Sequence, residues 1–495
     1  MAKRKPRRSP ENHLHISADL STVFGTIGQK GNSAMTAKPN IVFILTDDQG
    51  PWAAGCCGND EVRTPSIDRL ASDGMRFENF FCTSPVCSPA RASLMTGRIP
   101  SQHGVHDWIR ERNMPPRPAR YLEGLTCYTD ILAANGYISG LSGKWHLGDS
   151  LAPQHGFSHW FCMPLGYSTY NDAEMIRDGQ SQVYPGYVTD VITDDAIEFI
   201  RRQKDGPFYL GVHYNAPHSP WDGHPHDIVD SYDDCPFKTC PQEALHPWAR
   251  RDSRAHMGNR ESLKGYFAAI TAMDLNVGRI IDTLDELGLR NDTLIVFGSD
   301  NGYSCGHHGF WHKGNGTYPV NMYENSIKVP MIFSHPARIP GGRVTDAMAG
   351  QYDFMPTLLE YLGLPPRDDG TLPGSSFAPV LLGEQSEARD SVVVFDEYGP
   401  CRMIRTREWK YVHRYPFGPH ELYDLVNDPD ERANLVDEKS KQTVVDELRR
   451  RMVRWFERYV VNGLDGARLP VSGKGQKEKI DDEHCGEESF YPIDE

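Results

Sequence analysis

The stretch NIVFILTDDQG, residues 40–50, decides the fold of this chain, because a continuous apolar run leads directly into two carboxylates. Strands buried on both faces have such continuous runs, which are typical of a parallel sheet covered by helices. Four similar runs follow: YISGL (137–141), FYLGVHY (208–214), TLIVFG (293–298) and VPMIFS (329–334). Helix-length stretches separate them, and the clearest helical periodicity covers 261–288. We predict an α/β fold with a mainly parallel central sheet between helices.

The C-terminal part of the chain has a different pattern. Gly, Pro and Ser accumulate through 365–385, and three short apolar runs between 391 and 425 predict antiparallel strands, followed by a basic helix over 442–460. We therefore divide the chain into four parts: a disordered leader (1–35), a catalytic domain (36–385), a smaller C-terminal α+β domain with a short antiparallel sheet (386–470) and a mobile acidic tail (471–495).

Composition excludes several classes of protein. The 67 acidic and 52 basic residues give a net charge of −15, which argues against nucleic acid as a partner. No apolar run approaches the roughly 20 residues of a membrane span, and no secretory signal follows the basic N-terminus. The eleven cysteines are irregularly spaced, which indicates reduced thiols. We expect a cytoplasmic protein with no membrane partner, although Met35 is a candidate start, and a wrong start would hide the true N-terminus.

Polar side chains follow four of the apolar runs. They are Asp47 and Asp48 after the first, Lys144 and His146 after the second, His218 after the third, and Asp300 and Asn301 after the fourth. Each of these polar groups, taken alone, is typical of a turn or of a solvated edge. Together they point to a site, because α/β sheets bind ligands where parallel strands end. Three carboxylates and an amide oxygen suit Ca²⁺ or Mg²⁺ rather than zinc or copper. The sequence predicts a divalent cation that acts as a Lewis acid on an anionic ester.

A second motif, SPVCSPARASLMTGRIP, covers residues 84–100. Pro89 suits the first turn of a helix and Gly97 suits its end, so Cys87 lies at the helix N-terminus, where backbone amides favour an anion. Arg91, four residues later, projects on the same side. These residues leave four interpretations open for Cys87: a core thiol, half of a disulfide, a nucleophile, or the precursor of another group.

CSPAR followed by ASLMTGRIP resembles the signature of the type I sulfatases, which belong to the alkaline-phosphatase-like superfamily. The accompanying blocks extend over most of residues 38–436 and include PNIVFILTDDQG, GYISGLSGKWHLG, APHSP, SDNG, GHHGFWHKG and ELYDLVNDPDERANL. The resemblance implies an alkaline-phosphatase-like sandwich and hydrolysis of a sulfate monoester. It also implies that a separate maturation enzyme oxidises Cys87 to Cα-formylglycine, whose hydrate attacks sulfur with one hydroxyl and expels sulfate through the other.

The resemblance also implies a role for each matching residue. The cation, Ca²⁺ with Mg²⁺ as the alternative, is bound by Asp47, Asp48, Asp300, Asn301 and residue 87. Arg91 anchors the hydrate, and Lys144 and Lys313 bind sulfate oxygens. His146 is the base, and His218 protonates the leaving alkoxide. Two features depart from the family pattern. The Gly-Glu-His-Gly block is GHHG here, so His308 matches and His307 replaces the acid. The stretch from Lys313 to Tyr323 is longer than the common form.

Four loops rich in His, Trp, Tyr and Asp are candidates for substrate recognition: 104–112, 167–174, 220–225 and 306–312. From them we predict Trp108, His307 and His308 as substrate-binding residues, although each tryptophan could equally cover the sheet. Aromatic faces beside polar groups favour a sulfated carbohydrate or a small aryl or alkyl sulfate. Two alternatives stay open, a phosphonate monoester or phosphodiester hydrolase of the same superfamily and a non-catalytic binding protein on a sulfatase scaffold. The sequence leaves the oligomeric state open.

Overall fold

The computed structural model of the chain describes residues 38–365, 370–389, 393–395, 401–480 and 486–492. The predicted leader, 1–35, lies outside these residues, as do parts of the first predicted C-terminal strand and of the acidic tail. None of the helices in the described ranges is both long enough and apolar enough to cross a membrane.

Ten strands form the central sheet, in the order β12-β2-β11-β8-β1-β7-β3-β4-β5-β6. Their bounds are β1 Asn40–Thr46, β2 Met75–Phe81, β3 Ile138–Gly143, β4 Phe157–Cys162, β5 Asn171–Arg177, β6 Gln180–Tyr187, β7 Phe208–His213, β8 Thr293–Ser299, β11 Met331–Ser334 and β12 Arg343–Gly350, with β9 Ser304–Cys305 and β10 Trp311–His312 forming a separate pair. The block β8-β1-β7-β3-β4 is entirely parallel, and antiparallel pairs flank it on both sides. The mainly parallel sheet predicted from the apolar runs is confirmed.

Helices cover both faces of this sheet. They are α1 Pro65–Ser72, α2 Cys87–Thr96, α3 Pro100–His103, α4 Tyr128–Ala134, α5 Val188–Gln203, α6 His226–Asp230, α7 Arg251–His256, α8 Arg260–Glu286, α9 Glu324–Ile327, α10 Phe354–Tyr361, α11 Ala378–Leu381 and α12 Gln442–Tyr459. Alternate residues of β1 enter different cores. Phe43 packs in a cluster with residues of α2, α4 and α10, whereas Ile44 packs with residues of α1, α5 and α8. Burial on both faces explains the continuous apolar run of β1.

The short antiparallel sheet predicted for the C-terminal part is present. Its strands are β13 Val393–Phe395, β14 Cys401–Arg405, β15 Trp409–Arg414 and β16 Glu421–Asp424, in that order. The basic helix α12 packs its apolar face on this sheet through Leu448, Met452 and Phe456, in one cluster with Ile404 and Tyr411. The predicted domain boundary at residue 385 stays a prediction.

Five strands of the central sheet have no continuous apolar run and were not predicted: β2, β4, β5, β6 and β12. In β6 seven of eight residues are not buried, because it is the edge strand of a hairpin with β5. The interval 167–174, predicted as a loop, therefore ends inside β5, which begins at Asn171.

The acidic C-terminal segment differs from the predicted mobile tail over 471–480 and 486–492. The Gln476 N–H donates to Trp108 O at 2.8 Å, and the Arg110 N–H donates to Gln476 O at 3.1 Å. Phe490 is buried in an apolar cluster with Val471 and Ile480. Composition predicts mobility from the acidic residues, whereas these main-chain hydrogen bonds hold the described part of the segment on the 104–112 loop.

Candidate active site

The register of the sheet places four strand ends at one level. Thr46 of β1 pairs with Ser299 of β8, and the preceding Leu45 pairs with His213 of β7, which in turn pairs with Gly143 of β3. Main-chain hydrogen bonds continue between the loops that follow these strands, because the Asp300 N–H donates to Thr46 O at 3.1 Å and the Lys144 N–H donates to His213 O at 2.8 Å. The predicted polar residues therefore converge at this edge of the sheet.

Three buried ion pairs form the floor of the site. Lys144 Nζ binds Asp47, Lys313 Nζ binds Asp48, and Arg91 Nε donates to Asp300 Oδ2 at 2.9 Å. The three carboxylates and three cations carry equal and opposite formal charge. Because desolvation makes buried pairs poor stabilisers, this arrangement indicates a site for binding rather than a structural feature.

Neighbouring cations keep the carboxylates ionised. Burial alone would raise the pKa of Asp47, but Lys144 and His218 outweigh burial and lower it below its usual value. Asp48 behaves in the same way, with Lys313 as its main neighbour. Asp48 also adopts a left-handed backbone conformation with φ of 67°, of the kind found at functional sites.

Two buried oxygen atoms at this site fit a divalent cation. Asp47 Oδ1 and Asn301 Oδ1 make no hydrogen bond to any described residue, although both are buried. The Asn301 amide is oriented by its Nδ2, which donates to Asp48 Oδ1 at 2.7 Å, so that its oxygen remains available. One ligand atom each of Asp47, Cys87 and Asp300 lies within 4.8 Å of the others. Unsatisfied carboxylate and amide oxygens are the ligands of hard cations such as Ca²⁺ or Mg²⁺.

Cys87 is the first residue of α2, as the motif predicts, and Gly97 ends this helix with φ of 67°. The side chain is buried, and its Sγ lies 3.3 Å from Lys313 Nζ. Burial raises the pKa of the Cys87 thiol, and the lysines Lys144 and Lys313 offset this only in part. The thiol is therefore protonated at neutral pH, which makes it a poor nucleophile in its unmodified form.

The His146 imidazole is held as a neutral base. Burial, with Lys144 beside it, keeps the pKa of His146 well below its usual value. Nε2 lies 2.8 Å from Ile109 O, so it carries the proton and donates it to the carbonyl. Nδ1 is buried and makes no hydrogen bond to a described residue. The ring thus presents a lone pair that can accept a proton.

Gly166 fixes the position of this ring. A Cβ atom on Gly166 would lie 2.2 Å from both Cε1 and Nε2 of His146. We expect Gly166→Ala to displace the imidazole and lower kcat/KM for a sulfate ester by about 10²-fold, because a small misplacement of a catalytic group has effects of this size. Gly206→Ala is the matched control, since a Cβ there meets nothing within 4 Å. Equal activity of both variants, measured by sulfate release, would contradict this role of Gly166.

His218 also lies beside Asp48. Its Nδ1 is 2.6 Å from Ser219 O and therefore carries a proton, and its Nε2 lies 3.9 Å from Asp48 Oδ2. The side chain lines a cavity and is 20% exposed, more than the side chains of Lys144 and Lys313. Nε2 is therefore the ring nitrogen that can exchange a proton with a group in that cavity.

The cavity above these residues has a volume of about 730 Å³. Among the predicted residues, those that line it are Asp48, Cys87, Trp108, His146, His218 and Lys313. Lys313, at the start of the stretch that is longer than the common family form, lies beside Cys87. The sequence did not predict Tyr167, Arg250 or His312 as individual lining residues.

His307 and His308 are not among the residues that line this cavity, and their role in substrate binding stays a prediction. The His307 ring packs on Trp52 with centroids 5.0 Å apart, and the His308 ring stacks on Tyr323 at 3.9 Å. Burial lowers the pKa of His307 to about 4 and that of His308 to about 3. Both imidazoles are neutral at neutral pH, and the turn at 306–309 places them against these aromatic neighbours.

The C-terminal segment supplies lining residues that no motif predicted. Gly473, Lys474 and Tyr491 line the cavity, and the Tyr491 hydroxyl donates to Glu111. The only signal in the sequence is local, since Phe490 and Tyr491 interrupt an acidic stretch. A prediction from composition classes this segment as an acidic tail and therefore misses these two aromatic residues.

The sulfatase family model matches residues 39–364, and the model of the N-sulphoglucosamine sulphohydrolase C-terminal region matches residues 306–458. The chain belongs to the sulfatase family. It is therefore a sulfuric ester hydrolase, and the resemblance seen in its motifs is confirmed.

Relatives of this sulfatase include enzymes from bacteria and animals. It is 27% identical to an N-acetylglucosamine-6-O-sulfatase of Bacteroides thetaiotaomicron, over 81% of this chain and 83% of the relative. It is 28% identical to human arylsulfatase A, over 81% of this chain and 84% of the relative. A solved structure in complex with its substrate D-glucosamine-2-N,6-O-disulfate shares the fold with a TM-score of 0.75, at 25% identity over 86% of this chain and 99% of that chain.

Proposed function

We propose that this sulfatase hydrolyses the sulfate ester of a small sulfated saccharide, using Cα-formylglycine formed from Cys87 and a bound divalent cation, Ca²⁺ or alternatively Mg²⁺. The observation that carries this proposal is the buried set of Asp47, Asp48, Asp300 and Asn301 beside Cys87, in which two oxygen atoms have no partner among the described residues. A separate maturation enzyme would oxidise the thiol.

The chain's own residues suit the charge changes of this reaction. When bound, the cation and the formylglycine hydrate supply a Lewis acid and a nucleophilic hydroxyl. Lys313 lines the cavity beside Cys87, where its ammonium group can bind sulfate oxygens, and the buried Lys144 adds positive charge beneath, which stabilises negative charge as it develops. His146 Nδ1 accepts a proton, and His218 Nε2 donates one to the bridging ester oxygen.

The walls of the cavity support a saccharide as the substrate. A volume of about 730 Å³ lies within the range of small-ligand sites. Trp108 and Tyr167 offer aromatic faces, while Arg110, Glu111 and Asn113 offer hydrogen-bonding groups. The names of relatives agree with this class, since they include N-acetylglucosamine-6-O-sulfatase and N-acetylgalactosamine-6-sulfatase.

The direct test is sulfate release by the full-length protein that carries formylglycine at position 87. We expect turnover of sulfated N-acetylhexosamines and of 4-nitrophenyl sulfate in the presence of Ca²⁺. A phenylphosphonate monoester measured in parallel separates this proposal from its superfamily alternative. A higher kcat/KM for the phosphonate than for every sulfate ester would refute the proposal.

Removal of one proposed cation ligand gives a separate prediction. We expect Asp300→Asn to lower the affinity for Ca²⁺ by at least about tenfold, because one carboxylate charge is lost from the site. Calorimetric titration with Ca²⁺ measures this without any turnover. Asp274→Asn is the control, because this buried carboxylate lies elsewhere and accepts from the Ser66 and Ile67 N–H groups. Unchanged Ca²⁺ affinity in Asp300→Asn would exclude Asp300 from the cation site.

A further inference from the structure

A group of cations lies beside the proposed catalytic residues but takes no part in the reaction described above. Arg110, Arg250 and Lys474 line the active-site cavity. A neighbouring cavity of about 490 Å³ is lined by Arg250, Arg251, Asp252, Ala255 and Lys474. Because the two cavities share Arg250, Asp252 and Lys474, a ligand in the first can extend into the second.

The second cavity carries an excess of positive charge. Arg250 is paired with Asp252 at 3.3 Å. The exposed Arg251 and the half-buried Lys474 have no side-chain hydrogen bond or ion pair with any residue that the structure describes. In a chain with a net charge of −15, unpaired cations beside an active site mark a place where binding of an anion lowers the electrostatic free energy of the protein.

Arg110 extends this charge into the active-site cavity. Its guanidinium lies 4.1 Å from the centre of the Tyr491 ring, and it has no carboxylate partner in the described parts of the chain. Glu111, the nearest acidic residue in sequence, instead accepts the hydrogen bond of the Tyr491 hydroxyl. Stacking on an aromatic ring orients Arg110 and leaves its N–H groups available for an anion.

The backbone that carries these cations is held in place. The Lys474 N–H donates to Ser472 Oγ at 3.1 Å, and the Gly475 N–H donates to Asp107 Oδ2 at 3.0 Å. Arg250 is anchored through its Nη1, which donates to Asn315 O at 3.1 Å. Fixed attachment points lower the entropy lost when the side chains bind a ligand.

We propose that Arg110, Arg251 and Lys474 form a subsite for a second anionic group, a sulfate or a carboxylate, on the saccharide whose sulfate ester lies at residue 87. This inference rests on the function proposed above and specifies its substrate as a saccharide with at least two anionic groups. Lys474 lies outside the residues matched by either family model. The subsite therefore depends on the C-terminal segment of this chain.

Binding to the full-length Cys87→Ala protein in Ca²⁺ tests this without turnover. The three ligands are N-acetylglucosamine 6-sulfate, glucosamine 2-N,6-O-disulfate, and N-acetylglucosamine 6-sulfate linked to glucuronate. We expect one or both ligands with a second anion to bind about tenfold more tightly than the first, as charge-assisted hydrogen bonds allow. The ligand that shows this preference distinguishes a sulfate from a carboxylate.

Added to Cys87→Ala, the pair Arg251→Ala and Lys474→Ala is expected to reduce this preference to less than about twofold. The matched control pair, Lys204→Ala and Arg454→Ala, removes two exposed cations elsewhere and should keep the preference. The absence of any preference, or an equal loss of affinity for all three ligands in the Arg251/Lys474 variant, would overturn the subsite. Failure of the proposed function itself would be seen separately, as no sulfate release from any ester by the formylglycine-bearing protein.

Discussion

Cys87→Ala is expected to abolish sulfate release, by more than about 10⁴-fold in kcat, while the protein remains folded. Alanine cannot be oxidised to an aldehyde, so the variant lacks the nucleophile, and loss of a covalent nucleophile has effects of this order. The fold should tolerate the change, because the substitution removes only one sulfur atom from a buried side chain that borders a cavity. Sulfate release and far-UV circular dichroism measure the two parts of this prediction.

Mass spectrometry separates the modified residue from a simple thiol. The tryptic peptide Phe77–Arg91 of protein made in its own host should carry an aldehyde or its hydrate at position 87. Cys87→Ser should also be inactive, unless the maturation enzyme of the host accepts serine. Cys401→Ala, which removes a buried thiol from β14, is the control and should retain activity. An unmodified thiol in active protein would contradict the formylglycine interpretation.

The part of the site that the sequence predicts best is built on β1 and β8. Their apolar runs predict buried parallel strands, and parallel strands that pair in register end at the same edge of a sheet. The meeting of Asp47 with Lys144 follows from this geometry, whereas Arg91 reaches Asp300 from helix α2. The link between Cys87 and Lys313 could not be derived in this way, because it depends on the loop after β10.

The substrate side of the site is less predictable for a physical reason. Aromatic residues in loops have the same composition whether they line a cavity or cover a sheet. Trp108 lines the cavity, but Trp311 is fully buried in a core cluster, and Trp221 packs against that cluster. Lys474 shows the opposite problem, since no motif surrounds it and its position depends on the neighbouring Gly475, whose N–H donates to Asp107, more than 300 positions away.

The leaving-group dependence of His218→Ala is the second large effect that we expect. A sugar hydroxyl is a poor leaving group and needs a proton as the ester bond breaks, whereas nitrophenolate departs without one. His218→Ala should therefore lower kcat/KM by about 10³-fold for a sugar sulfate, within the range of general acid catalysis. The loss for 4-nitrophenyl sulfate should be less than about tenfold. Steady-state kinetics with both substrates measures the difference.

The position of His218 explains why we expect the loss of this residue in particular to affect the two substrates differently. Ser219 O fixes the proton on Nδ1, so protonation at Nε2 gives an acid whose N–H faces the cavity, beside Asp48. His218→Gln keeps a hydrogen-bond donor but cannot transfer a proton, so it should show the same dependence on leaving group. His226→Ala removes an exposed imidazole nearby in sequence and should leave both rates unchanged. Equal losses for the two substrates in His218→Ala would assign the residue to binding, because only a proton donor discriminates between leaving groups.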